Sequence, residues 1–137
     1  MGIKASEAAA QAGQGESVIG WKLDRDQRRT LLRQFPPQFE TVIADHVTLR
    51  SKAADDAPLP EERIGEIIGR VSDDAGVEAM VVTIDGTTNR PDGSSYHITW
   101  SLADGRHARE SNDVLRQVPW ERFERPEPIT LQPAIFR

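Results

Sequence analysis

The sequence predicts an α+β domain of two lobes. Strand-like runs outnumber helical ones, and their order, β-α-β-β-β-β-α-β, suits a two-lobed domain with non-local sheets. A four-residue pattern also occurs twice, once in each half: HVTL at 46–49 and HITW at 97–100. At 137 residues the chain fits a single domain with room for a substantial core.

Residues 1–16, rich in Ala, Gln, Gly and Glu, read as a mobile tail ahead of one domain over 17–137. ESVIGWKL follows as a strand with Ile19, Trp21 and Leu23 on one face, so Trp21 is expected in the core. Asp24 or Asp26 can cap the next element. DQRRTLLRQF predicts a helix burying Leu31, Leu32 and Phe35, ended by Pro36 and Pro37. ETVIADHVTLR reads as one strand carrying the first motif at its end. Residues 51–62, charged and containing Pro58 and Pro60, read as an exposed loop.

RIGEIIGRVSD is strand-like, with Gly65 and Gly69 suggesting bulges or a bend. GVEAMVVTIDG is a clearer strand, and TTNRPDGSS is a loop full of turn residues. SYHITWSL is the strand of the second motif, with Tyr96, Ile98 and Trp100 expected in the core. ADGRHARE reads as a turn and loop, and Ser111 as the N-cap of a short helix, SNDVLRQV. The tail RPEPITLQPAIFR contains three prolines and predicts one edge strand at ITL.

Each motif is His, β-branched apolar, Thr, large apolar. In an extended strand successive side chains alternate between faces. His46 and Thr48 then share one face while Val47 and Leu49 anchor the other; His97 and Thr99 stand likewise against Ile98 and Trp100. Two such strands side by side would present two acid/base groups and two hydroxyl donors of phosphate-binding size. A single H-x-T in a strand is ordinary, and the repetition with matching apolar partners is what makes this pair informative.

These motifs resemble the two-histidine (2H) phosphoesterases. That superfamily includes bacterial RNA ligase-like enzymes, cyclic nucleotide phosphodiesterases and the cyclic phosphodiesterase domain of fungal and plant tRNA ligases. The resemblance covers residues 18–117. The segment ADGRHARESNDVL is also similar to the tRNA-ligase branch, where a loop leads to a Ser-Asn helix start. The resemblance implies two similar lobes whose antiparallel sheets meet around a central cleft, with one motif per lobe. It also implies transfer or hydrolysis at a phosphodiester, commonly a cyclic phosphate.

The chemistry of the residues is consistent with that. Hydrolysing a cyclic phosphodiester needs a base for the attacking water and an acid for the departing ribose oxygen. Two histidines can fill both roles near neutral pH, although sequence does not say which is which. Thr48 and Thr99 can bind the non-bridging oxygens. Arg50 and Ser101 continue the polar faces of the two strands and are expected to border the cleft, and Arg109 can hold phosphate. His107, in a turn, reads as a loop residue rather than a third catalyst. Two histidines with hydroxyls make a poor metal set, and Asp45 should point to the opposite strand face from His46. No metal or cofactor is therefore expected.

The chain carries a formal net charge of −5, and arginine outnumbers lysine 14 to 3. A protein that grips extended duplex usually has a basic excess. The expected partner is thus a small cyclic nucleotide or an RNA terminus, with no extended duplex and no membrane. No apolar run approaches a membrane span, and the N-terminus lacks a secretory apolar region. MGIKAS fits the myristoylation pattern through Gly2 and Ser6, but so short a pattern is cheap and we read it as chance. The absence of cysteine excludes disulfides and thiol nucleophiles and suits a reducing compartment. The expectation is a cytoplasmic, monomeric hydrolase in RNA processing; the alternative is a non-catalytic RNA-end or nucleotide-binding module on the same fold.

Overall fold

The computed structural model describes residues 17–53 and 56–136. The expected tail over 1–16, with Gly2 and Ser6, lies outside the described residues. The strands are β1 (Ser17–Leu23), β2 (Thr41–Val42), β3 (His46–Ala53), β4 (Ile64–Ser72), β5 (Val77–Thr83), β6 (His97–Leu102) and β7 (Glu121–Phe136). The helices are α1 (Arg25–Gln34) and α2 (Ser111–Gln117), the second preceded by a 3-10 turn over Ala108–Glu110. The seven strands form one antiparallel sheet in the order β2-β6-β5-β4-β7-β1-β3. Neither helix is long and apolar enough to cross a membrane.

Period-two patterning places β1 as expected. Ile19, Trp21 and Leu23 are fully buried while Lys22 is exposed. Gly20, at the tight crossing of β1 and β3, has no room for a side chain: a Cβ there would lie 2.1 Å from the Val47 carbonyl oxygen. Asp24 caps α1, accepting from the Gln27 amide at 3.0 Å. Leu31 seals α1 onto the core, and Phe35 stacks on Phe123 at 5.1 Å.

The main core joins β1, β3, β5, β6 and β7 through Trp21, Val47, Leu49, Met80, Ile98, Trp100 and Leu131. Both buried indoles find acceptors: Trp21 Nε1 donates to the Glu62 carbonyl and Trp100 Nε1 to the Phe35 carbonyl. A second, smaller core lies on the other face of the sheet, where Val71, Val77, Ala79 and Leu102 pack on Val114 of α2. β5 contributes to both cores, which is why it is buried almost throughout rather than on alternate residues.

Three elements depart from the sequence reading. The segment expected as one strand over 40–50 is two strands: β2 pairs with β6, and β3 pairs with β1. Between them Ala44 takes a left-handed backbone, φ 42°, and the chain turns from one neighbour to the other. β3 also runs on to Ala53, into residues expected to be loop. The largest departure is β7, a 16-residue strand in the interior of the sheet where one edge strand was expected. Its prolines fit because β7 changes partners along its length. Pro128 pairs only with Glu66 of β4, and Pro133 only with Trp21 of β1, so neither needs an amide for a second neighbour.

Candidate functional site

The turn at Ala44 creates the site. Ile43 N donates to the Trp100 carbonyl and Ala44 N to the Thr99 carbonyl, both at 2.9 Å, and these bonds hold the chain beside β6. One residue later Asp45 offers its carbonyl to Leu23 N of β1. The two motif strands therefore diverge instead of pairing, and the wedge between them opens as a cavity of about 440 Å³. His46, Thr48 and Arg50 of β3 line it on one side, and His97 and Thr99 of β6 on the other. Arg109 lines it from the 3-10 turn.

Second-motif side chains are held tightly. His97 is buried, and its Nδ1 lies 3.0 Å from the Ser95 carbonyl. A carbonyl can only accept, so Nδ1 carries the proton and Nε2 keeps its lone pair. Burial pulls the His97 pKa down to about 4, aided by the positive charge of Arg90 and by His46, against the Ser95 carbonyl. His97 is thus a neutral imidazole at physiological pH. Thr99 Oγ1 donates to the Ala108 carbonyl at 3.3 Å and lies 2.9 Å from Ser111 Oγ.

The first-motif histidine is more open, and its environment differs in kind. His46 Nδ1 lies 3.1 Å from Asp45 Oδ2, and the ring packs on Phe136 with centroids 4.8 Å apart. Asp45 also takes a hydrogen bond from Arg25 at 3.0 Å. Burial alone would raise the Asp45 carboxyl, but the bonds from His46 and Arg25 and their charges leave it below the usual range. The expectation that Asp45 points away from His46 fails because Asp45 precedes the first strand residue. Side-chain alternation does not apply across that turn.

Two further expectations are corrected. Ser101 does not line the cavity: it is fully buried, donating to Glu78 Oε1 at 2.7 Å and accepting from Phe39 N at 3.1 Å. It serves the buried Glu78, its partner on the neighbouring β5. Ser111 is not an N-cap, because it is the first residue of α2 and its hydroxyl meets Thr99. His107 stands where a loop residue should, exposed at the N-cap of the 3-10 turn and away from the cavity lining.

Sequence reasoning missed Arg90. It comes from the turn-rich loop before β6, yet it is only 9% exposed. Its guanidinium donates to Ser94 Oγ at 2.6 Å, Asn112 Oδ1 at 2.8 Å and the Thr48 carbonyl at 3.4 Å. One buried cation thus ties the loop, α2 and β3 together at the floor of the cavity. Asn112 and Phe136 line it too. The only sequence signal was an arginine beside Pro-Asp-Gly, just upstream of the motif. Among the described residues no three His, Asp or Glu side chains gather into a metal-holding group.

Comparison with family models, curated proteins and solved structures finds no match for this chain.

Proposed function

We propose that this protein is a metal-independent phosphodiesterase of the two-histidine type. Its substrate is a 2′,3′-cyclic phosphate on a nucleotide or an RNA end. The observation that carries this reading is the convergence of His46, Thr48, His97 and Thr99, from segments far apart in sequence, on one cavity. In this reading the two lobes meet at that cavity, one around β1 and β3 and the other around β6 and β5, with β7 shared.

The environments of the two imidazoles divide the labour. His97, neutral with a free Nε2, is the general base: it takes a proton from water as the water oxygen bonds to phosphorus. His46, whose Nδ1 is turned to the Asp45 carboxylate, is the general acid: it gives a proton from Nε2 to the ribose oxygen as the P–O bond breaks. The product is a phosphomonoester beside a free hydroxyl, and the histidines regain their starting states by exchange with solvent. The Thr48 hydroxyl faces the non-bridging oxygens, the Thr99 hydroxyl turns its proton from the Ala108 carbonyl to reach one, and Arg90 supplies fixed positive charge in a water-poor setting.

Incubation with 2′,3′-cyclic mononucleotides in EDTA tests the proposal. Turnover is the expected result. Binding without turnover would select a nucleotide-binding module instead, and loss of turnover in EDTA with recovery on adding one divalent metal would contradict metal independence.

A further inference from the structure

We propose that the Arg50 end of the cavity is a second anion subsite. It would take a phosphate ester one nucleotide unit away from the reacting cyclic phosphate. The inference rests on the reading of the site as a cyclic phosphodiesterase and narrows its substrate. A nucleoside cyclic phosphate with a phosphate on its 5′ oxygen, free or within an RNA chain, would be favoured over one with a bare 5′-hydroxyl.

Three observations lead there. The first is an unused donor. Arg50 lines the cavity, and its Nε is buried with no hydrogen-bond partner. A buried donor left unpaired is costly and rare in folded proteins. The second is a charge excess. Arg50, Arg90 and Arg109 line the cavity against one lining carboxylate, Asp92, in a chain whose formal net charge is −5. Arg90 is engaged by Ser94, Asn112 and the Thr48 carbonyl. Among the described residues, Arg50 and Arg109 have no carboxylate within ion-pair distance. Asp92 lies 3.9 Å from Arg90 and offsets one of these charges, and a cyclic phosphodiester brings a single negative charge, which does not balance the two guanidinium groups that are left.

The third is spacing. Arg50 stands two residues beyond Thr48 on β3, across a bulge where the register with β1 shifts, and both residues line the cavity; two residues of strand span at most about 7 Å. The phosphates of adjacent nucleotides are separated by a similar span. With the reacting phosphorus between the His46–Thr48 and His97–Thr99 pairs, the neighbouring phosphate comes within reach of the Arg50 guanidinium. That planar fork suits a phosphate by paired hydrogen bonds.

Steady-state kinetics on three substrates test this: a nucleoside 2′,3′-cyclic phosphate, its 5′-phosphorylated counterpart, and a short oligoribonucleotide ending in a 2′,3′-cyclic phosphate. Wild-type protein should show kcat/KM about tenfold or more higher for both phosphate-bearing substrates, as one charge-assisted contact allows. In Arg50→Gln that ratio should fall to about one. Equal kcat/KM for the bare and 5′-phosphorylated nucleosides in wild-type protein overturns the inference. A gain with the oligonucleotide alone also overturns it, because it would locate the extra contact beyond the neighbouring phosphate.

If no substrate turns over, the catalytic reading has failed, and calorimetry still decides the subsite. A nucleoside 3′,5′-bisphosphate should then bind about tenfold tighter than the 3′-monophosphate to wild-type protein but not to Arg50→Gln. Equal affinities for wild-type protein overturn the subsite. Should Arg50→Gln not fold by circular dichroism, Arg50→Lys retains the charge without the fork and should lose part of the preference.

Discussion

Asp45 Oδ2 lies 3.1 Å from His46 Nδ1, a carboxylate–imidazole pair made by two adjacent residues, of which His46 lines the cavity. The carboxylate accepts from Nδ1 and so fixes the tautomer, leaving Nε2 as the reactive nitrogen. Asp45→Asn keeps a hydrogen-bonding group of the same shape but removes the charge. We expect it to fold normally and to lower kcat by about 10- to 100-fold, part of the contribution of a general acid. A kcat unchanged by the substitution would show that His46 does not depend on its neighbour.

The low pKa of His97 makes a stability prediction with a definite sign. Folded His97 takes up its proton only near pH 4, whereas the ordinary value is 6.5. Between those values the unfolded chain carries the extra proton, so stability rises with pH through the window. Acidification from pH 6.5 to 4 should remove stability on the order of 3 kcal/mol through this one group. Urea unfolding of wild-type protein and His97→Gln across this range isolates the effect, since the variant lacks the titrating ring. Parallel pH dependences would contradict it. If His97 is the base, the acid limb of kcat/KM should also fall near pH 4 and not near pH 6.5.

Removal of a transition-state donor sets the scale for the threonines. Thr48→Val and Thr99→Val keep the branched shape and should each reduce kcat about 10- to 1,000-fold. Ser111→Ala should cost less than Thr99→Val, because it removes only the partner that orients the Thr99 hydroxyl. A larger loss for Ser111→Ala would make Ser111, not Thr99, the phosphate donor.

His107 is the remaining histidine and the natural rival. It is exposed at the end of a turn, and no strand aims it into the cavity. We expect His107→Ala to keep kcat within about tenfold, with at most a rise in KM. A collapse in kcat with intact circular dichroism would mean a different pairing of histidines.

Much of the fold could be read from local pattern. Period-two alternation located β1 and β6, and Asp24 together with Pro36 bounded α1. β7 could not be read this way, because its prolines are acceptable only where the strand has one neighbour, and that depends on where β4 ends and β1 begins. The motif residues were legible as a repeat. Ser101 was misplaced because alternation gives its face but not the depth of β6 or the buried Glu78 that receives it. Arg90 stayed hidden for a related reason: a residue in a turn-rich loop reads as exposed, and only the remote Thr48 and Asn112 bury it.

In the proposed mechanism His46 and His97 act as a pair, and phosphorus NMR of a 2′,3′-cyclic mononucleotide decides whether they do. Wild-type protein should convert the cyclic phosphate signal to that of a single phosphomonoester. His46→Ala and His97→Ala, each folded by circular dichroism, should leave it unconverted over the same period, because each removes the sole acid/base group of its motif. Conversion by either variant at more than a small fraction of the wild-type rate would contradict the paired mechanism.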